Sequence, residues 1–406
     1  MNKNSRSLLW IDAHLQYRSP TMKHLLYALP RLRAEGWEIK AWCLDSDAPR
    51  DEVEHVFFPA LRWLGPFELL YFTLVVNLYG LWRWLCRKPR PATIIHATCG
   101  TYLGADLTTV QFLGCVWAGT HLRLGFANWR ELAVYPVTLF GACAERLQWW
   151  SPALRKVHAV SESVAAEVRR RTRPAVTVGV LPNSYDETRF NLEIRAGRRV
   201  GMRETLGLLP GEKVFCFVST GHYRRKGFWL AVEALEGVRQ TAAGKNVRLL
   251  VVGGSERTLA RLRDDLLRAF PNFERWITFV GMQAAVEDYY AASDVFIFPS
   301  YFEAFCLAEI EAAACGLPLL LTPHNGSEMI LRDGVNGRLL SFDPKIMAGQ
   351  IEEFLANGLP NFQPGVGRGL TRDQYASALA AEYGSMIAGG GSAERRDHDD
   401  IVRKQP

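Results

Sequence analysis

Five short apolar runs in the second half of the chain constrain the fold more than any other feature. They are Val214 to Ser219, Val247 to Val252, Trp276 to Val280, Val295 to Pro299 and Pro318 to Thr322. Each is followed by Gly, Pro or Ser and then by a helical stretch, the pattern of strands buried in a doubly wound parallel sheet. The first half follows the same βαβ grammar, with Leu8 to Ala13 and Trp37 to Leu44 as strands and Met22 to Ala34 as the helix between them. Thr93 to Ala97, Leu107 to Phe112, Lys156 to Val160 and Val176 to Leu181 continue the series without hairpin turns, so this sheet is also expected to be parallel.

A chain of 406 residues with 48% apolar content forms two domains at the usual domain size of about 100–200 residues. The polar, Arg-rich stretch from Pro182 to Pro210 suits the connection between them. The division expected is residues 1–190, residues 191–370, a final helix over 371–388 and a compositionally disordered tail over 389–406. Neither half carries G-x-G-x-x-G after a strand, so a nicotinamide or flavin cofactor lacks its main signal.

The net charge of +6 is small for this length, and there is no zinc-finger spacing, RNA-binding signature or long basic run, so nucleic acid is not an expected partner. The eight cysteines are scattered without a C-x-x-C pair, which reads as reduced core thiols and a cytoplasmic location. The first apolar stretch stops at Asp12, too short for a signal-peptide core. Phe67 to Leu85 carries only Glu68 and Arg83 as charges, but Thr73, Asn77, Gly80, Arg83 and Arg87 recur at helical steps and form one polar stripe. Two placements follow. The apolar face packs beneath the first sheet, or it lies on a membrane surface with Trp82, Trp84, Arg83, Arg87, Lys88 and Arg90 as an interfacial anchor.

The chemistry concentrates between Ser293 and Leu340. A buried strand there runs into a helix expected from about Phe305 to Cys315, and in open α/β sheets ligands bind at that strand end. Free N–H groups at Phe305, Cys306 and Leu307, with the positive end of the helix dipole, suit a phosphate. Glu303 and Glu311 would stand roughly 12 Å apart along a continuous helix, the scale separating a sugar from a ribose across a diphosphate. A carboxylate accepts hydrogen bonds from two neighbouring hydroxyls, so an acid at each end matches a nucleotide sugar. The alternative makes Glu303 an N-terminal dipole partner and Glu311 a solvated helix residue. Upstream, STGHYRRKGFWLAVEAL puts three consecutive cations at another strand end, either a solvated loop or a cradle for a diphosphate leaving group.

Glu303, seven residues, Glu311 and then A-x-A-C-G-L-P resemble the signature of the retaining GT-B enzymes of glycosyltransferase family four. Gly326, Glu328, Gly334, Asn336 and Gly337 resemble its later "gg-x-x-E…dG-x-n-G" stretch, VHAVSESVAAEV its "i-a-v-S-e" strand and helix, and LPNSYDETRF its "i-p-N-G-v-D-x-x-x-F" link, with Ser184 in place of Gly. The resemblance implies an α/β fold of two Rossmann-like doubly wound domains facing across a cleft, with the donor held by the second. It also implies that Glu303 binds donor-sugar hydroxyls, that the amides of Phe305, Cys306 and Leu307 bind sugar and diphosphate, and that Glu311 binds the ribose. Lys226 and Gly227 match the end of the family's "G-R…K-G" phosphate loop. Its usual Arg is Gly221 here, so Arg224 or Arg225 supplies the charge, with Arg225 preferred. The R-K-G variant is similar to the lipopolysaccharide-core glucosyltransferases. Ala304 and Cys306 replace the small residues usual on either side of Phe305, narrowing the sugar pocket. His96 and Gln111 end apolar runs where relatives place residues facing the sugar, the alternative being hydrogen-bonded core.

The implied activity is metal-independent, retaining transfer of a hexose from a nucleotide sugar, UDP-linked by preference, to a glycan or glycolipid in envelope or exopolysaccharide synthesis. No cofactor or metal is expected, and a peripheral membrane contact accompanies such an acceptor. Three competing readings have different consequences. Asp45-Ser46-Asp47 would hold a divalent ion in a single-domain transferase. A nucleotide-sugar epimerase or a phosphorylase would use the same fold without the same acceptor, although no pyridoxal lysine signal is present. A non-catalytic sugar-binding protein would have no need of Glu303, Glu311 and Lys226 together.

Overall fold

The computed structural model describes residues 6–19, 22–126 and 129–388. The expected tail over 389–406 lies outside the described residues. The first domain alternates β1 (Ser7–Ile11), α1 (Lys23–Ala34), β2 (Glu38–Cys43), β3 (Val53–Phe57), α2 (Glu68–Leu85), β4 (Ile94–Thr98) and β5 (Leu107–Val110). Two long helices follow, α3 (Gly114–Leu124) and α4 (Trp129–Trp149), then β6 (Lys156–Ala159), α5 (Glu162–Arg169) and β7 (Thr177–Val180). The seven strands pair in the order β3-β2-β1-β4-β5-β6-β7, and every pairing is parallel. β3, with the alternating sequence VEHVF, has no uniform apolar run and was not among the expected strands.

After α6 (Leu192–Thr205) the second domain runs β8 (Lys213–Val218), α7 (Phe228–Arg239), β9 (Val247–Val252), α8 (Glu256–Ala269), β10 (Ile277–Gly281), α9 (Val286–Ala292) and β11 (Val295–Phe298). It closes with α10 (Leu307–Ala314), β12 (Leu319–Leu321), α11 (Ser327–Ile330), β13 (Gly337–Leu339) and α12 (Pro344–Asn357). Its six parallel strands take the order β10-β9-β8-β11-β12-β13. Both sheets reverse direction next to their first strand, and each domain presents its ligand-binding crevice at the carboxyl strand ends. The strands at the five runs that predicted this domain are, in chain order, its first five; four are buried almost throughout, and β10, at the sheet edge, is buried only at Ile277.

Two segments differ from the sequence reading. The Arg-rich connection contains α6, whose arginines dock it on the second domain. Arg195 and Arg199 donate to the Ser293 carbonyl at 3.0 and 2.7 Å, and Arg203 donates to the Ala292 carbonyl at 3.0 Å. The last helix, α13 (Arg372–Ala388), returns to the first domain. Tyr375, Leu379 and Tyr383 share a core with Leu8, Trp10 and Leu26, and Trp10 Nε1 donates to the Tyr383 hydroxyl at 3.1 Å. All eight cysteines are unpaired thiols; Cys43, Cys216, Cys306 and Cys315 are buried, whereas Cys86 and Cys143 are exposed rather than core.

Candidate active site

The basic loop leaves β8 at Ser219 and re-enters helix at Phe228. Gly227 caps α7 with φ of 72°, and a Cβ there would lie 1.8 Å from the Pro299 carbonyl oxygen, so the loop is clamped on the end of β11 where only glycine fits. The Tyr301 amide donates to the Arg225 carbonyl at 2.9 Å and ties the loop to the approach to α10. This junction brings three of the expected residues together. Arg225 Nη2 is 3.7 Å and Lys226 Nζ 3.9 Å from Glu303 Oε1. All three side chains are largely shielded from solvent, and the two separations exceed hydrogen-bond length. Glu303 Oε1 and Arg225 Nε are buried atoms with no hydrogen-bond partner in the protein. Groups of this kind are costly to leave unmade, which makes the junction a receptor for a ligand rich in hydroxyls and negative charge.

α10 begins at Leu307, with Cys306 as its cap residue, slightly later than expected. The 12 Å spacing of a continuous helix therefore does not apply across Glu303 to Cys306. The Phe305 and Cys306 side chains are buried in the second core, and Leu307 packs against it, so these residues offer the crevice their backbone amides. Burial pushes the Cys306 thiol well above its usual range and removes it as a nucleophile.

Glu311 faces a different cavity of about 120 Å³, shared with Lys23 of α1, Arg189, Arg372 and, after β10, Ala284 and Val286. Burial pushes its carboxyl up to about 7, against the opposing influence of Lys23 and Arg189. This cavity is below the roughly 300–1,000 Å³ of ordinary ligand sites, so a nucleoside would have to displace Lys23, which reaches across from the first domain. A larger cavity of about 370 Å³, beside Arg155, Lys156 and Arg173, lies at the opposite, amino-terminal ends of β6 and β7. Its cations already bond within the protein: Lys156 to Glu382, Arg155 to the Met386 carbonyl and Arg173 to the Leu154 carbonyl.

Two expected ligands take other roles. His96 is 1% exposed, with Nδ1 2.6 Å from the Tyr383 hydroxyl and Nε2 2.7 Å from the Thr109 hydroxyl, so both ring nitrogens are occupied within the core. Arg224 points away from Glu303 and donates to the Gly125 carbonyl at 2.9 Å and to the Leu124 carbonyl, latching the basic loop to the end of α3. Gln111 exchanges amide hydrogen bonds of 2.8 and 2.9 Å with Asn183 beyond the carboxyl ends of β5 and β7. Asp45 and Asp47 are also engaged, Asp45 with His14 Nδ1 at 2.9 Å and Asp47 with the Tyr17 amide at 2.9 Å.

The sequence reading assigned no joining role to the parts that link the domains. Trp117 of α3 lies under the Arg225 guanidinium at 5.6 Å and packs on Phe302. Glu328 accepts from the Ser163 amide at 2.9 Å and the Gly326 amide at 2.8 Å, and the Ser161 hydroxyl donates to the Ala304 carbonyl at 3.1 Å. Behind α10, Glu309 and His324 form a pair at 2.9 Å with both side chains 0% exposed. Burial alone would lower the His324 pKa, yet Glu309 holds it up at about 9. An acid two residues before Glu311 was the available signal, since that step carries a side chain to the far side of a helix.

Two parallel Rossmann-like sheets facing across a crevice, with a basic loop and a shielded glutamate meeting at its wall, define the GT-B glycosyltransferase fold. Residues 212–357 match the family model for glycosyl transferases group 1, and the second domain is a domain of that kind. Over 167 residues, 40% of this chain, the sequence is 34% identical to the D-inositol 3-phosphate glycosyltransferase of Nocardia farcinica. Over 168 residues it is 36% identical to the Rhodococcus erythropolis protein of the same name. These alignments cover 36% and 37% of those relatives, little more than a third of their length. Among solved structures, WaaG, a glycosyltransferase involved in lipopolysaccharide biosynthesis, superposes with a TM-score of 0.69 at 18% identity, covering 94% of this chain and all of WaaG. Anabaena HepE in complex with UDP and glucose superposes at 0.58 with 16% identity, covering 95% of this chain and 99% of HepE. Both superpositions speak to the fold.

Proposed function

We propose that the protein is a retaining hexosyltransferase that takes its sugar from a nucleotide-sugar donor, UDP-linked by preference. The supporting observation is the convergence of Arg225, Lys226 and an unsatisfied Glu303 oxygen at the wall of the crevice. Glu303 would accept from hexose hydroxyls, while Arg225, Lys226 and the amides of Phe305 to Leu307 receive the diphosphate. Glu311 would bind the ribose, with the base against the backbone near Ala284. In the reaction the acceptor oxygen attacks the anomeric carbon from the face the diphosphate leaves, the carbon–phosphate-oxygen bond breaks, and the departing phosphate oxygen takes the acceptor proton. Configuration is thereby retained. The two cations stabilise the charge gathering on the leaving group, so no divalent ion is required.

The acceptor is a glycan or glycolipid of envelope or exopolysaccharide synthesis, reached from the cytoplasmic face of a membrane. HepE, a structural relative, was solved with UDP and glucose, and WaaG acts in lipopolysaccharide biosynthesis, which supports this choice over an unrelated donor. Thermal-shift titration against a panel of nucleotide sugars tests it, because a bound donor stabilises the fold in proportion to occupancy. Stabilisation by a UDP-hexose is expected; stabilisation by no nucleotide sugar overturns the reading.

A further inference from the structure

α2 divides its apolar residues between two faces: Phe72 and Val76 are buried in a core with Leu9, Trp42 and Ile95, whereas its leucines are not. Its polar stripe faces inward. Asn77 donates to the Thr101 carbonyl at 2.9 Å and accepts from the Leu103 amide at 2.9 Å, and Arg83 donates to the Pro89 carbonyl at 2.8 Å. A Cβ on Gly80 would lie 2.4 Å from the Tyr102 hydroxyl, so this face is pressed against the domain. The leucines point outward: Leu74, Leu78, Leu81 and Leu85 follow one another at helical steps and are all exposed, Leu78 to 63%. Tryptophans mark both ends, with Trp63 81% exposed just before the helix and Trp84 74% exposed at its close. α4 adjoins α2 and the turn before it, and it adds exposed Trp129 and Leu132. Soluble monomers rarely expose so continuous an apolar surface.

The charge around this face identifies what covers it. From Phe58 to Trp149 the sequence has eight Lys and Arg against four acids. Three of those acids, Glu68, Asp106 and Glu145, are buried. Arg87, Lys88 and Arg90 are exposed directly beyond the end of α2. Arg90 is paired with Asp106, which leaves Arg87 and Lys88 as the cationic edge. A leucine face with terminal tryptophans and such an edge matches the interface of an anionic bilayer, where rings sit at headgroup depth and cations meet lipid phosphate. An 18-residue helix is about 27 Å long. The segment Arg62–Leu85 is apolar and long enough to cross a membrane, but Phe72, Val76 and Asn77 fix its inner face to the domain, so it lies along the outside of the domain. Glu68 at its start is 3.6 Å from His14, which follows β1, so the face begins at the rim of the crevice.

We propose that the outer face of α2, with Trp63 and the exposed side of α4, is a docking surface for an anionic lipid bilayer and sets the crevice beside lipid-borne acceptors. The docking rests on this geometry and charge, and only the acceptor clause depends on the transferase reading. The test is co-sedimentation of the full chain with vesicles of phosphatidylcholine, with and without phosphatidylglycerol. The wild type is expected to pellet with the anionic vesicles at low salt and be released as salt rises. Leu78→Glu/Leu81→Glu is expected to weaken binding at least about tenfold while Tm and UDP-sugar binding stay unchanged. Arg87→Ser/Lys88→Ser removes two charges, each worth about fivefold near an anionic leaflet. Wild type that stays in the supernatant, or a leucine double variant that pellets as well as wild type, overturns the proposal. A wild-type dimer that the leucine variant converts to monomer also overturns it, because a second copy then covers the face. Failure to bind any UDP-sugar would leave the vesicle result intact and refute only the transferase reading.

Discussion

Glu311→Gln is expected to change stability and nucleotide affinity in opposite directions. The Glu311 carboxyl rises from 4.5 to about 7, mainly because it is enclosed with little solvent. The folded chain therefore holds this proton more tightly than the unfolded chain does. The stabilisation is fully present below about pH 4.5 and lost as pH rises through about 7. At about 1.4 kcal/mol per pH unit the upper bound is roughly 3 kcal/mol, and residual contact with cavity solvent reduces it to about 1–3. The neutral amide does not incur this loss. At pH 8 the ligand-free variant should melt several degrees above wild type, on a scale of roughly 2–4 °C per kcal/mol, and the gap should close towards pH 4.5. Calorimetric titration with UDP-glucose should meanwhile show the variant binding more weakly by about 1.5–3 kcal/mol, because charge-assisted hydrogen bonds to the ribose are lost. Wild-type UDP-glucose affinity should rise with pH through about 7 for the same reason. A variant with unchanged affinity, or no stability gain at pH 8, would refute the assignment of Glu311 as a strained ribose ligand.

The other acid should behave differently: Glu303→Ala is expected to spare free-UDP affinity and reduce turnover, and equal loss of UDP affinity in both variants would contradict the division of roles. Replacing either Glu309 or His324 by Leu leaves a fully buried partner unpaired, at a cost of about 3–5 kcal/mol in denaturant unfolding. The double replacement should cost less than the two single ones together, whereas simple additivity would deny the pairing. In wild type the His324 contribution is present below its ordinary 6.5 and lost as pH rises through about 9, so this gap should narrow in alkaline buffer.

The second domain was legible because four of its six strands are buried on both faces and read as uninterrupted apolar runs. Where another force holds an element, the same reading fails. α6 has no fully buried residue and is fixed by arginines bonded to carbonyls, so apolar periodicity says nothing about it. α2 has a clear stripe, but a stripe reports two unlike faces and not which one meets the domain. Asn77 and Gly80 turn its polar side inward. Glu303, Arg225 and Lys226 come together as the sequence suggests because each adjoins a strand end, where crevices form. Arg224 and His96 are bonded elsewhere, and the sequence could not show it, for a related reason. Adjacent cations such as Arg224 and Arg225 diverge by side-chain direction, and His96 is satisfied by Tyr383, 287 residues away. Partners at such separations are invisible to local pattern.

In the proposed reaction Arg225 and Lys226 support departure of a nucleoside diphosphate from a hexose held by Glu303, without a metal. The most direct measurement is UDP release from a UDP-hexose in excess chelator, comparing wild type with Lys226→Ala. Wild type should turn over undiminished by chelator. Losing one preorganised charge opposite the leaving group should slow the variant about 100- to 1,000-fold, at nearly unchanged Tm. Activity abolished by chelator and restored by manganese would contradict the account and return Asp45 and Asp47 to consideration, as would a Lys226→Ala variant that turns over like wild type.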